Sequence, residues 1–98
     1  MDDKVKDSIE FLEQLEPGNF CTVNMPLFNN ESISVTAMFM GKDENGRYNF
    51  LDTGRFIFSK EFIIKKGISI KKEFNEEKAF EIYSNFKKLQ NKSKDRER

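Results

Sequence analysis

Between Phe20 and Phe74 apolar residues recur largely at every second position, whereas on either side of that stretch they recur every three to four. A chain patterned in this way places a helix at each end of a run of short strands. Residues 3–15 set Val5, Ile9 and Leu12 at helical spacing, Phe11 and Leu15 widen the stripe, and Pro17-Gly18 ends it. The exposed face of this first helix is acidic.

From Phe20 the alternation sets Cys21, Val23 and Met25 on one face and Thr22 and Asn24 on the other until Pro26, and "FNNES" supplies the next loop. The second strand runs from Ile33 to about Gly41, with Ile33, Val35, Ala37 and Phe39 on one face and Met38 and Met40 on the other. Asn45-Gly46 predicts a type I′ hairpin turn, which needs positive φ at both central residues. That turn sets Met40 opposite Leu51 and Gly41 opposite Phe50, so that Tyr48 and Phe50 share the side of Phe39. Residues 56–74 continue as strands, with Phe56, Phe58, Phe62, Ile64, Ile68, Ile70 and Phe74 at even positions and Gly67 as the bend. Ile57 and Ile63, with Met38, Met40 and Leu51, leave apolar material on the second face of the sheet, to be covered by a helix or by another subunit. Met38, Met40, Leu51 and Ile57 are the candidate interface residues.

Asn75 can cap a last helix over 76–90, whose first turn carries Glu76 and Glu77 and whose apolar stripe is Ala79, Ile82, Tyr83, Phe86 and Leu89. The segment 91–98 has no apolar residue and is expected to be a basic, mobile tail. Residues 1–90 therefore make one α+β domain. Strands spaced this closely suit a small antiparallel SH3-like barrel of five or six strands, because curling removes exposed edges.

Composition narrows the chemistry. The chain has no histidine, the commonest general base and metal ligand, and its single cysteine, Cys21, rules out an internal disulfide. Cys21 lies in a strand with no basic neighbour in sequence and reads as a small buried hydrophobe. Asp43, Glu44 and Asp52 lie near the hairpin, but nothing there orients a nucleophile or completes a metal site. The expectation is a cytoplasmic, non-catalytic protein with no cofactor or metal. Net charge is zero, yet residues 1–16 carry two Lys against six acids, while 55–72 carry six basic residues against one Glu. Such basic segments either steer an anionic ligand or serve as solvated faces. The abundance of Lys, Asn and Phe points by association to an AT-rich genome, and a chain of this kind to a phage or mobile element.

A helix followed by "FCTVNMPLFNNESISVTAMFMGKD" and "RYNFLDTG" resembles the first motif of the Sm-like family, with Gly41, Asp43, Asn49 and Phe50-Leu51 in similar order. "IIKKGISI", residues 63–70, resembles the second motif, with Lys66-Gly67 in place of its basic-glycine pair. The resemblance implies an Sm/SH3-like barrel in a homo-oligomer that binds RNA or a small nucleotide. By the same resemblance Asn49 would read a base edge, Lys66 would hold a base or phosphate beside Lys65 and Gly67, and Tyr48 would offer a stacking face. The alternative is a protein-binding regulator or inhibitor, such as an antagonist of host defence, that uses its acidic helix or its Met-Ile face.

Overall fold

The computed structural model describes residues 3–96, and the side chains of residues 3–88. Helix α1 (Asp3–Gln14) is followed by strands β1 (Phe20–Pro26), β2 (Ser32–Lys42), β3 (Tyr48–Leu51) and β4 (Arg55–Phe58), helix α2 (Lys60–Lys66), strand β5 (Ser69–Lys71) and helix α3 (Glu76–Arg96). The strands form one antiparallel sheet in the order β4-β3-β2-β1-β5. No ladder joins β4 to β5 among the described residues, so the sheet is open and the expected barrel is not closed.

The sheet separates two apolar clusters. On one face Val5, Ile9 and Leu12 of α1 meet Cys21, Val23, Ala37, Phe39, Tyr48 and Phe50, together with Ile63, Ile68 and Ile70. Phenylalanine dominates the far side of this core, where Phe50 lies 5.1–5.7 Å from the rings of Phe39, Phe56 and Phe58. On the other face Ile82 of α3 covers Met38 and Leu51, with Phe20, Met40 and Phe86 at the margin. The cover over the second face is thus a helix of the same chain. Met38 and Leu51 are 2% and 9% exposed and are not available to a partner, whereas Ile57 on β4 remains 47% exposed.

The segment 60–66, expected as strand, is helical for reasons written at its two ends. Ser59 caps it, its hydroxyl accepting the Phe62 N–H at 3.1 Å. Gly67 ends it in the left-handed region (φ +67°), where the Gly67 N–H donates to Ile64 and the Ile68 N–H to Ile63. This pair of bonds is a Schellman closure, with the apolar residues Ile63 and Ile68 both fully buried in the core cluster. The "IIKKGISI" segment is therefore a helix end, a left-handed glycine and the first two residues of β5.

The hairpin between β2 and β3 is where expected, but its register is not. Asn45 does not adopt positive φ; Gly46 alone does, at +77°. The Asp43 N–H donates to Arg47 and the Gly46 N–H to Asp43, which leaves a three-residue loop in place of a two-residue turn. A second shift follows at Met40, between the pairs Gly41–Asn49 and Phe39–Phe50. Each one-residue shift swaps the faces of β2, and two restore them. Phe39 therefore still shares the core side with Tyr48 and Phe50, although Leu51 faces Met38 and not Met40. The bulge depends on Gly41 (φ +108°), where a Cβ would come within 3.3 Å of the Pro17 ring.

Helix α3 starts where expected, with the Asn75 side chain accepting the Lys78 N–H at 3.0 Å. It continues beyond residue 90 to Arg96, so most of the expected tail is helical. Leu89 belongs to the side chains outside the described set, as do residues 97 and 98. No helix among the described residues is long and apolar enough to cross a membrane.

Candidate functional site

The strands of the hairpin β1–β2 are the longest in the sheet, and they outrun their neighbours. Strand β2 has eleven residues against four in β3, so residues 32–36 pair with β1 alone and have no strand on their other side. That edge reads Ser-Ile-Ser-Val-Thr and carries no charge, proline or bulge, the features that usually blunt an exposed edge. Beside it opens an apolar groove of about 270 Å³, walled by Met25, Ile33, Val35, Phe56 and Phe58. Asp52 is the single charged residue on its rim, and no ion pair holds it among the described residues.

The tip of the hairpin adds to this surface. The Leu27 N–H donates to Glu31 at 2.7 Å, closing a loop in which Asn29 and Asn30 both adopt positive φ, near +63°. Asparagine visits this region more readily than other non-glycine residues. The loop turns Phe28 outward to 90% exposure, with Leu27 at 42% and Ile33 at 48%. In the sequence "FNNES" reads as a connection, and Phe28 is not among the expected site residues. Paired asparagines able to carry left-handed backbone next to a bulky apolar residue were the available signal.

Of the residues expected to form a nucleotide site, Tyr48 and Asn49 are engaged within the fold, whereas Lys65 and Lys66 are exposed. Tyr48 is fully buried and has no face free to stack. Its hydroxyl donates to Glu13 Oε1 at 2.6 Å, while Lys42 Nζ lies 2.8 Å from Glu13 Oε2 and Lys60 Nζ lies 3.8 Å from Glu13 Oε1. The Lys42 hydrogen bond, then that from Tyr48, holds the Glu13 carboxyl below its ordinary range. Burial, then the Glu13 carboxylate, pushes the Tyr48 hydroxyl well above its own. Asn49 donates its amide to the carbonyls of Gly41 (3.4 Å) and Arg47 (3.1 Å) and so braces the bulge and the turn. Lys65 and Lys66 are exposed in the last turn of α2, and Gly67 is its cap.

The remaining chemical candidates are structural as well. Asp43 Oδ1 accepts the N–H groups of Asn45 and Arg47, and Oδ2 accepts Arg47 Nε, each at 2.9 Å. These bonds, the Arg47 backbone N–H foremost, lower the Asp43 pKa and tie up the carboxylate in shaping the turn. Cys21 is fully buried, and burial pushes its thiol up to about 12, far from a reactive thiolate. No group of three potential metal ligands occurs among the described residues. Comparison with protein families, with curated proteins and with solved structures finds no match to this chain.

Proposed function

We propose that this protein is a non-catalytic binding module that takes up an extended segment of a protein partner along the open end of the β1–β2 hairpin. The observation that carries this reading is the uncharged, unpaired edge of residues 32–36 lying against an apolar groove, with Phe28 90% exposed beside it. Strand addition supplies affinity through main-chain hydrogen bonds and specificity through pockets for alternate side chains. A segment with alternating apolar residues fills the groove of Ile33, Val35 and Phe56, and a Lys or Arg within it meets Asp52. Exposed aromatic anchors near such grooves commonly carry much of a binding energy. A module of this kind acts as a regulator or inhibitor by occupying its partner.

The Sm-like reading of an oligomeric RNA or nucleotide binder at Asn49 and Lys66 has less support. Tyr48 is core, Asn49 is committed to the hairpin, and Ser8 of α1 accepts the Ile70 N–H at 2.7 Å, which covers the outer edge of β5 against strand addition by a second copy.

The test is retention of partner proteins from a host lysate by the immobilised protein, compared with a Phe28→Asp/Ile33→Asp variant, with identification by mass spectrometry. A partner that survives high salt and is lost with the variant is the expected result. Retention that is indifferent to both substitutions overturns the assignment, and native mass spectrometry showing self-assembly through this end would replace it with a homo-oligomer.

A further inference from the structure

A second concave surface lies between α1 and β5, open to solvent, with a volume of about 420 Å³. Lys4, Asp7 and Phe11 line it from α1, Asn24 from β1, and Lys71 and Lys72 from the far side. Its floor is the hydrogen bond from the Ile70 N–H to the buried Ser8 hydroxyl, which holds helix and strand together. Strand alternation would send Lys71 and Lys72 to opposite faces. Strand β5 ends at Lys71 and the chain bends at Lys72, and both residues line the cleft.

The charges there are not balanced. Lys71 and Lys72 both line the cleft, and neither lies within ion-pair distance of an acid among the described residues. The Asn24 amide likewise makes no hydrogen bond among the described residues, and the half-buried Phe11 presents part of its ring. Ammonium groups are point-charge partners for phosphate, an amide offers both donors and an acceptor to a base edge, and a phenyl ring offers a stacking surface. The volume falls within the range of small-ligand sites, roughly 300–1,000 Å³.

We infer that the cleft between α1 and β5 binds a phosphorylated nucleoside unit, its phosphate held by Lys71 and Lys72, and its base placed against Phe11 and Asn24. The same unit is supplied either by a free mononucleotide or by one residue of a single-stranded RNA. The site is independent of the hairpin groove and uses none of its residues.

The experiment is an NMR titration of the ¹⁵N-labelled full chain with AMP, with inorganic phosphate, and with a ten-nucleotide single-stranded RNA, repeated on Lys71→Glu/Lys72→Glu and on Lys87→Glu/Lys88→Glu. The second double variant makes the same charge change on α3. Circular dichroism checks that each variant is folded. Saturable shifts at Phe11, Asn24 and residues 70–72, weakened at least tenfold in the Lys71/Lys72 variant and unchanged in the other, are expected. AMP binding as tightly per phosphate as the RNA identifies a free nucleotide; RNA binding far more tightly than AMP identifies a strand. Absence of shifts with all three probes, equal loss in both variants, or phosphate binding as well as AMP would each overturn the assignment.

Discussion

The two hairpins of the sheet differ in what their side chains are for. At the β2–β3 hairpin, Asp43 takes up three donors, Asn49 spans two carbonyls, and Glu13 gathers Tyr48, Lys42 and Lys60. At the β1–β2 tip, backbone bonds alone close the loop, no side-chain hydrogen bond joins residues 27–31 among the described residues, and the apolar side chains point outward. One end is bound into the fold by polar contacts. The other keeps its apolar surface outside the core, where it contributes little to folding and is free for a partner.

The largest effect is expected where both hairpins lean on the same core. Phe50→Ala removes a fully buried ring in contact with three others and should cost about 3–5 kcal/mol by urea unfolding, enough to disable both ends together. Gly41→Ala acts on the braced end alone: strained φ and the close Pro17 ring predict a loss of about 1–3 kcal/mol in the same measurement.

A smaller change separates polar bracing from packing. Tyr48→Phe keeps the buried ring but removes the hydroxyl bonded to Glu13, for an expected loss of about 1 kcal/mol. Glu13→Gln should cost less than about 1 kcal/mol at neutral pH, because the carboxylate is a third exposed and its ion pairs are screened. The folded-state pKa of Glu13 is depressed, so its contribution is complete above the ordinary value near 4.5 and is lost as pH falls through the lower folded value. Stability curves of the wild type and Glu13→Gln should therefore converge in acid.

The smallest effect on folding is expected at the open end. Phe28→Asp should change stability by no more than about 0.5 kcal/mol while it abolishes partner retention. A loss comparable to that of Gly41→Ala would mean that the tip is part of the fold after all, and the contrast between the hairpins would fail.

Much of the architecture was legible because local pattern and tertiary role coincide. The stripe of Val5, Ile9 and Leu12 and the cap at Asn75 mark α1 and α3, and the alternation from Phe20 marks β1 and β2. Helix α2 reads as strand in the sequence because Phe62 and Ile64 fall at even positions, yet its cap Ser59, its basic last turn and Gly67 are the stronger local signals. The candidate sites were less legible. Tyr48, Asn49 and Lys66 have the residue types of a nucleotide site, but residue type does not show whether a ring is buried or an amide already engaged. Phe28 was overlooked because a loop sequence does not reveal how far its side chains stand from the core.

By itself, the sequence determined the two terminal helices, the first two strands, the place of the β2–β3 turn and the apolar side of the sheet, all set by interactions within a few residues or by a simple period. Only the tertiary structure decided that the sheet stays open, that α3 covers Met38 and Leu51, and that Lys71 and Lys72 line one cleft with residues of α1. These outcomes depend on contacts between residues far apart in the chain. Each turns on a bulge, a helix end or a strand end of one or two residues, whose effect on facing is amplified across the whole sheet.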